Sequence, residues 1–287
     1  MRDQASKLRN IVSGNDRTAK TISIVSGKGG VGKSNTAVNF ALELLKRDKK
    51  VLIFDLDIGM GNIDILIGND SKYSIANLFA DFLPIRDMIE LGPHNLSYVA
   101  GGSSLNELIQ LDDKKLQYFY DQFEEVANDY DYILFDLGAG ASDATMSFIL
   151  SSDESIVITT PEPTAITDAY SMIKHMVHYQ ASLPISLILN RCQTTRDGKQ
   201  AIDKFTQVVQ RFLDKEIVTL GMLPEDRNVS RAVIKQTPYT ILNEGAPVSI
   251  AMSQIVDNYL KEVNNRTLNE LKEGTFIQRL KRFLSIS

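Results

Sequence analysis

The octapeptide Gly27-Lys-Gly-Gly-Val-Gly-Lys-Ser34 constrains this chain more than any other feature. It fits G-x-x-x-x-G-K-[ST], a pattern that has chemical meaning only where a strand ends and a helix begins. Both contexts are predicted. Thr21-Ile-Ser-Ile-Val-Ser26 is β-branched and apolar, and Asn35 to Arg47 has helical length and pattern. Glycines let successive backbone N–H groups converge on phosphate oxygens, and the start of the helix adds its partial positive charge. Gly27, Lys28, Gly29, Gly30, Val31, Gly32, Lys33, Ser34 and Asn35 are therefore expected to surround the phosphates of a nucleotide. Lys33 should reach the β- and γ-phosphates, and the Ser34 hydroxyl should ligate Mg²⁺.

Five more short apolar runs follow: Lys50 to Asp55, Asp131 to Asp136, Ser155 to Thr160, Pro184 to Asn190 and Ile217 to Leu223. Successive apolar residues bounded by polar or Gly/Pro breaks are how strands covered on both faces read. Helix-length stretches lie between them, at Asp113 to Asn128, Thr164 to Tyr179 and Gly198 to Asp214. This alternation predicts an α/β fold in three layers, a mostly parallel central sheet with helices on both faces. The core is expected over residues 18–265, after a polar leader at 1–17 and before a short amphipathic tail at 266–287.

Two strands end in carboxylates. Phe54-Asp55-Leu-Asp57 and Phe135-Asp136 place acidic groups at the C-terminal edge of the sheet, where open α/β sheets bind ligands. Asp136 fits the Walker B pattern of an acid that holds Mg²⁺ through water.

Composition narrows the classes. A net charge of -5 argues against a general nucleic-acid binder. A single cysteine, Cys192, excludes an internal disulfide and suits a reducing, cytoplasmic setting. It also cannot supply the paired thiolates needed to bridge a cluster between two subunits. Met1 to Lys20 carries no apolar signal core, and no run approaches the roughly 18 apolar residues of a membrane span.

Lys28, directly after the first glycine, gives a loop that resembles the deviant Walker A motif of the MinD/ParA-type ATPases. The resemblance implies ATP and Mg²⁺ as ligands and a homodimer in which this lysine reaches the partner's nucleotide. Phe54 to Ile67 resembles that family's first switch, which implies that Asp57 orients the attacking water and Asp55 helps hold the metal's water shell. Asp136-Leu-Gly-Ala-Gly140 stands where the family has Asp-Thr-Pro-Ala-Gly, so Leu137 and Gly138 are departures. Asn190 with Arg191, and Pro224-Glu225-Asp226, resemble the segments that flank adenine; Glu162 and Asp168 match positions near the dimer face. Slow, dimer-dependent hydrolysis is the activity implied.

Both ends carry motifs. On a helix, Phe276, Ile277, Leu280, Phe283 and Leu284 share one face, with Arg279, Lys281 and Arg282 at its flanks and back. That pattern fits reversible attachment to an anionic membrane surface, or docking on the chain's own domain. One such helix binds weakly, and two on one dimer bind far better. Asp3-Gln4-Ala5-Ser-Lys-Leu8-Arg9 resembles the Asp-Gln-Ala-x-x-Leu-Arg leader of the flagellar-number ATPases (the FlhG, YlxH or FleN type) within the same group. This implies a leader that stimulates the GTPase FlhF, and action on flagellar number and placement with C-ring proteins. Division-site MinD and ParA-type partitioning ATPases are the rival readings, along with a binding module that lacks catalysis.

Overall fold

The computed structural model describes residues 18–57, 63–102, 113–266 and 274–284. The leader motif Asp3, Gln4, Ala5, Leu8 and Arg9 lies outside the described residues, as does the middle of the first switch, 58–62.

Strand β1 (Lys20–Val25) and helix α1 (Lys33–Leu45) flank the glycine-rich loop, as its sequence context requires. The chain continues through β2 (Val51–Leu56), the short helices α2 (Ile63–Ile67), α3 (Ile75–Ala80) and α4 (Ile85–Met88), and strands β3 (Glu90–Leu91) and β4 (Ser97–Val99). Then α5 (Asp113–Ala127), β5 (Tyr132–Leu137), α6 (Asp143–Ser151), β6 (Glu154–Thr159), α7 (Pro163–Tyr179), β7 (Ile185–Cys192), α8 (Thr195–Leu213) and β8 (Val218–Pro224) alternate. Helices α9 (Arg227–Ile234), α10 (Tyr239–Leu242), α11 (Pro247–Arg266) and α12 (Phe276–Leu284) complete it.

Among the described residues the sheet has eight strands in the order β3-β4-β2-β5-β1-β6-β7-β8. All neighbours are parallel except β3 with β4 at one edge. The six predicted strands are all present, and the fold is the predicted three-layer α/β architecture. Strands β3 and β4 escaped the sequence reading because two and three residues are too short to show a period.

Two apolar layers cover the sheet. One gathers α1, α10 and α11 over Ile22, Ile24, Ile53, Leu134, Ile156 and Ile158. The other gathers α5 to α8 and α12 over Phe54, Ile133, Phe135, Val157 and Leu187. Every residue of β2, β5 and β6 is buried, which is why these strands read as apolar runs without alternation.

Helix α12 belongs to this core rather than standing apart as a tail. It opens with a reciprocal cap, Thr275 N–H donating to Gln278 Oε1 at 3.1 Å and Gln278 N–H to Thr275 Oγ1 at 3.3 Å. Phe276, Ile277 and Leu280 are buried, and the Phe276 ring stacks on Phe135 at 4.8 Å and lies 4.9 Å from Phe123. Phe283 and Leu284 are half-buried against the same cluster. Arg279, expected on a flank open to headgroups, is buried instead: it donates to Ser151 O, Gly274 O and Asp153 Oδ1 at 2.8, 2.6 and 2.6 Å. Burial is tolerated because its guanidinium finds an acceptor for each bond and a carboxylate for its charge. The docked alternative is thus the arrangement in this structure. Among the described residues no helix is long and apolar enough to cross a membrane.

Candidate nucleotide site

The loop between β1 and α1 is built so that nothing but glycine fits at its two ends. A Cβ on Gly27 would lie 2.2 Å from the backbone carbonyl of Asp168 in α7. Gly32 has φ +89°, and a Cβ there would meet Asn190 Nδ2 at 2.4 Å. Between them, Gly29 and Gly30 face open space, with nothing within 4 Å of the Cβ position. Val31 is buried in the α1 layer and holds the loop down. Its carbonyl accepts from Asn190 Nδ2 at 2.8 Å, and the Lys28 carbonyl accepts from Ser26 Oγ at 3.0 Å. Gly140, after β5, donates its N–H to Ser26 O at 3.2 Å, joining the turn that follows β5 to the loop. The cradle is pre-formed, with the free N–H groups of the α1 start beneath it.

Lys33, the first residue of α1, is only 6% exposed. Its Nζ lies 2.5 Å from Asp136 Oδ1, 3.2 Å from Asp57 Oδ2 and 3.4 Å from Ser34 Oγ. Burial works to lower its pKa, but Asp136 and Asp57 outweigh that and raise it, so the ammonium stays charged. Asp136 is fully buried, and burial raises its carboxyl pKa against the opposing pull of Lys33. The register pairs Asp136 with Asp55 on β2, putting both carboxylates on the α1 face at the C-terminal edge. Asp55 Oδ1 accepts from Asp57 N and Oδ2 from Ile63 N, each at 3.2 Å. It therefore holds both Asp57 and Ile63, the residues on either side of 58–62.

Asp136 Oδ2 is buried without a hydrogen-bond partner. A buried acceptor of this kind beside Ser34 suits the water shell of a hard divalent cation, and the residues present fit Mg²⁺. Leu137, where the family has Thr, is the last residue of β5 and wholly buried in the apolar layer.

Residues expected at the phosphates and at the base converge. Asn35, Asn190, Arg191, Pro224, Glu225 and Asp226 line one cleft of about 610 Å³ with Gly30 and Gly32, a size that suits a nucleotide. Asn190 spans loop and cleft, since its Oδ1 accepts from Arg191 N at 2.8 Å while its amide holds Val31. Glu225 N donates to Cys192 O at 2.9 Å and keeps the tips of β7 and β8 together. Asp226 caps α9 through Asn228 N at 2.8 Å and also accepts from Val248 N at 3.3 Å. Val229, Val233 and Ile234 of α9 and Tyr239 of α10 form an apolar wall that the sequence does not announce, because these helices are only eight and four residues long.

Lys28 does not join this cluster. Its half-exposed side chain turns outward to Thr164 Oγ1 at 3.2 Å and Glu162 Oε2 at 3.9 Å. Asp168 contributes backbone against Gly27, and its side chain is part-exposed.

Known proteins resemble this chain over most of its length. The family model for ParA, described as NUBPL iron-transfer P-loop NTPase, matches residues 17–260. The chain is 32% identical to the flagellum site-determining protein YlxH of Helicobacter pylori, over 99% of this chain and 100% of that protein. It is 30% identical to the antiactivator FleN of Pseudomonas aeruginosa, over 93% and 95%. Among solved structures, the septum site-determining protein MinD of Pyrococcus horikoshii, complexed with Mg-ADP, superposes with a TM-score of 0.69 at 27% identity over 86% of this chain and 98% of that one. The chain belongs to the ParA/MinD family of P-loop ATPases and is a relative of FleN and YlxH.

Proposed function

We propose that this protein is an ATP-dependent dimerising switch that regulates flagellar number and placement, with slow, dimer-dependent hydrolysis as its timer. The observation that carries the switch is the outward reach of Lys28 beside a pre-formed cradle. A lysine set in the loop yet turned from Asp57 and Asp136, and resting on Thr164 and Glu162, is placed to meet charge on a second copy, with Asp168 at the same face. The flagellar role rests on the near-full-length similarity to YlxH and FleN.

In this reading the backbone of Gly27 to Lys33 holds the phosphates, and the cleft from Asn190 to Asp226 takes adenine. Ser34 would ligate Mg²⁺, and Asp136 with Asp55 would hold its water shell. When bound, the cation neutralises charge on the β- and γ-phosphate oxygens. Lys33 contributes a fixed positive charge that needs no reorganisation at the moment of reaction, and Asp57 orients the attacking water. Helix α12 undocks to seat Phe276, Ile277, Leu280, Phe283 and Leu284 in an anionic membrane, so the protein alternates between cytoplasm and membrane surface. FlhF, engaged by Asp3 to Arg9, and C-ring proteins are the partners. Division-site selection is the second reading, favoured by the likeness to MinD structures.

Size-exclusion chromatography with ADP, with ATP, and with ATP on K28A and D57A tests the switch. Wild type should dimerise with ATP, D57A should stay trapped as a dimer, and K28A should remain monomeric. Wild type that stays single with ATP would overturn the reading. Counting flagella and septa in cells lacking the gene separates the two cellular roles: altered flagellar number with normal septa supports the first.

A further inference from the structure

Among the described residues three buried side-chain oxygens have no hydrogen-bond partner: Asp136 Oδ2, Tyr239 Oη and Thr160 Oγ1. Asp136 belongs to the cation site already described. Thr160 has no role in that description, yet it stands at a sensitive place.

Thr160 is 2% exposed and follows the last residue of β6. Ile156 and Ile158 face the α1 layer, so continued alternation puts Thr160 on that face too. The last paired residues of β6 and β7 are Thr159 and Leu189, and the next along are Thr160 and Asn190. Asn190 is the residue that holds the Val31 carbonyl. Two polar residues thus stand side by side at the ends of β6 and β7, Asn190 bonded to the phosphate loop and Thr160 with its hydroxyl unmet. On its other side, Thr160 leads directly into Pro161-Glu162-Pro163-Thr164, the segment on which Lys28 rests through Thr164 and Glu162. Thr160 therefore stands one register step beside Asn190 and directly before the segment on which Lys28 rests.

A buried hydroxyl without a partner raises the free energy of whichever arrangement leaves it so. We propose that Thr160 is a positioning residue whose hydroxyl finds its partner only when Lys28 leaves Thr164 and Glu162, so that it biases the protein toward the ATP-bound dimer. The inference rests on the dimer switch proposed above. Once the ammonium departs, residues 161–164 lose the cation that ties them to the loop and can close over Thr160. The resting arrangement carries the unmet hydroxyl, and the assembled one does not.

Valine has the shape of threonine and needs no partner, so T160V should act with opposite signs on two measurements. Without nucleotide, its thermal midpoint should rise by about 2–4 °C. With Mg²⁺ and a non-hydrolysable ATP analogue, its dimer dissociation constant by analytical ultracentrifugation should rise about tenfold, equivalent to about 1.4 kcal/mol. T160S, which keeps the hydroxyl, should dimerise within about twofold of wild type. A packing defect would lower both stability and assembly, and that result overturns the proposal. Equal dimerisation of T160V and wild type overturns it as well, as does a T160S variant as weak as T160V. Wild type that never dimerises with the analogue removes the switch itself, a failure read from wild type alone.

Discussion

Arg279 and Asp153 meet at 2.6 Å at the end of the sheet opposite the phosphate loop, and Asp153 also accepts from the N–H and hydroxyl of Thr21 at 2.7 and 2.8 Å. One carboxylate thereby ties the C-terminal helix to the first strand. R279A should cost about 2 kcal/mol, because it removes three charge-assisted bonds from a mostly buried site. Urea unfolding checks the stability. Liposome sedimentation without ATP should increase in the same variant, since the helix is held less firmly.

Phe276 packs against Phe123, Phe135 and Phe148, with centroids 4.9, 4.8 and 5.8 Å away. F276A should open a cavity in the α12 layer and destabilise the docked helix by about 3 kcal/mol. Protease digestion should then remove the region after 266 much faster than in wild type. F283A, at a half-buried position, should change the digestion rate far less.

Gly27 touches α7 backbone, which cannot rotate aside as a side chain can. G27A should therefore displace the loop and weaken ATP binding roughly tenfold to a hundredfold, the range that about 1–3 kcal/mol of strain produces. Calorimetric titration gives the constant. G29A, with open space around its Cβ, should bind within a few-fold of wild type.

Asp226 carries a pH signature. Partial burial works to raise its pKa, but the N–H and amide of Asn228 and the N–H of Val248 lower it below 3.8. A depressed folded-state pKa means the cap's contribution is complete above pH 3.8 and is lost as pH falls through the folded value. D226A should cost about 1 kcal/mol at pH 7. The gap between D226A and wild type in chemical denaturation should narrow as pH falls from 3.8 through the depressed folded-state pKa.

The chain announces its parallel sheet because β2, β5 and β6 are buried on both faces and so carry unbroken apolar runs. The phosphate loop is equally legible, since its glycines answer to local demands at Gly27 and Gly32. What sequence alone conceals is partnership at a distance. Asp55 reads as a metal-site carboxylate, and only the folded chain gives its two oxygens to Asp57 and Ile63. Arg279 reads as a headgroup contact until Asp153, 126 residues away, claims it. Thr160 bears no motif, and its interest lies wholly in the bond it does not make.

Phe135 and Asp136 are consecutive on β5 and project to opposite faces of the sheet. The first holds Phe276 of the C-terminal helix, and the second holds Lys33. A single peptide bond therefore separates the seat of the terminal helix from the carboxylate that holds Lys33. The terminal helix and the loop lysine are thus seated on neighbouring residues of one strand, back to back across the sheet.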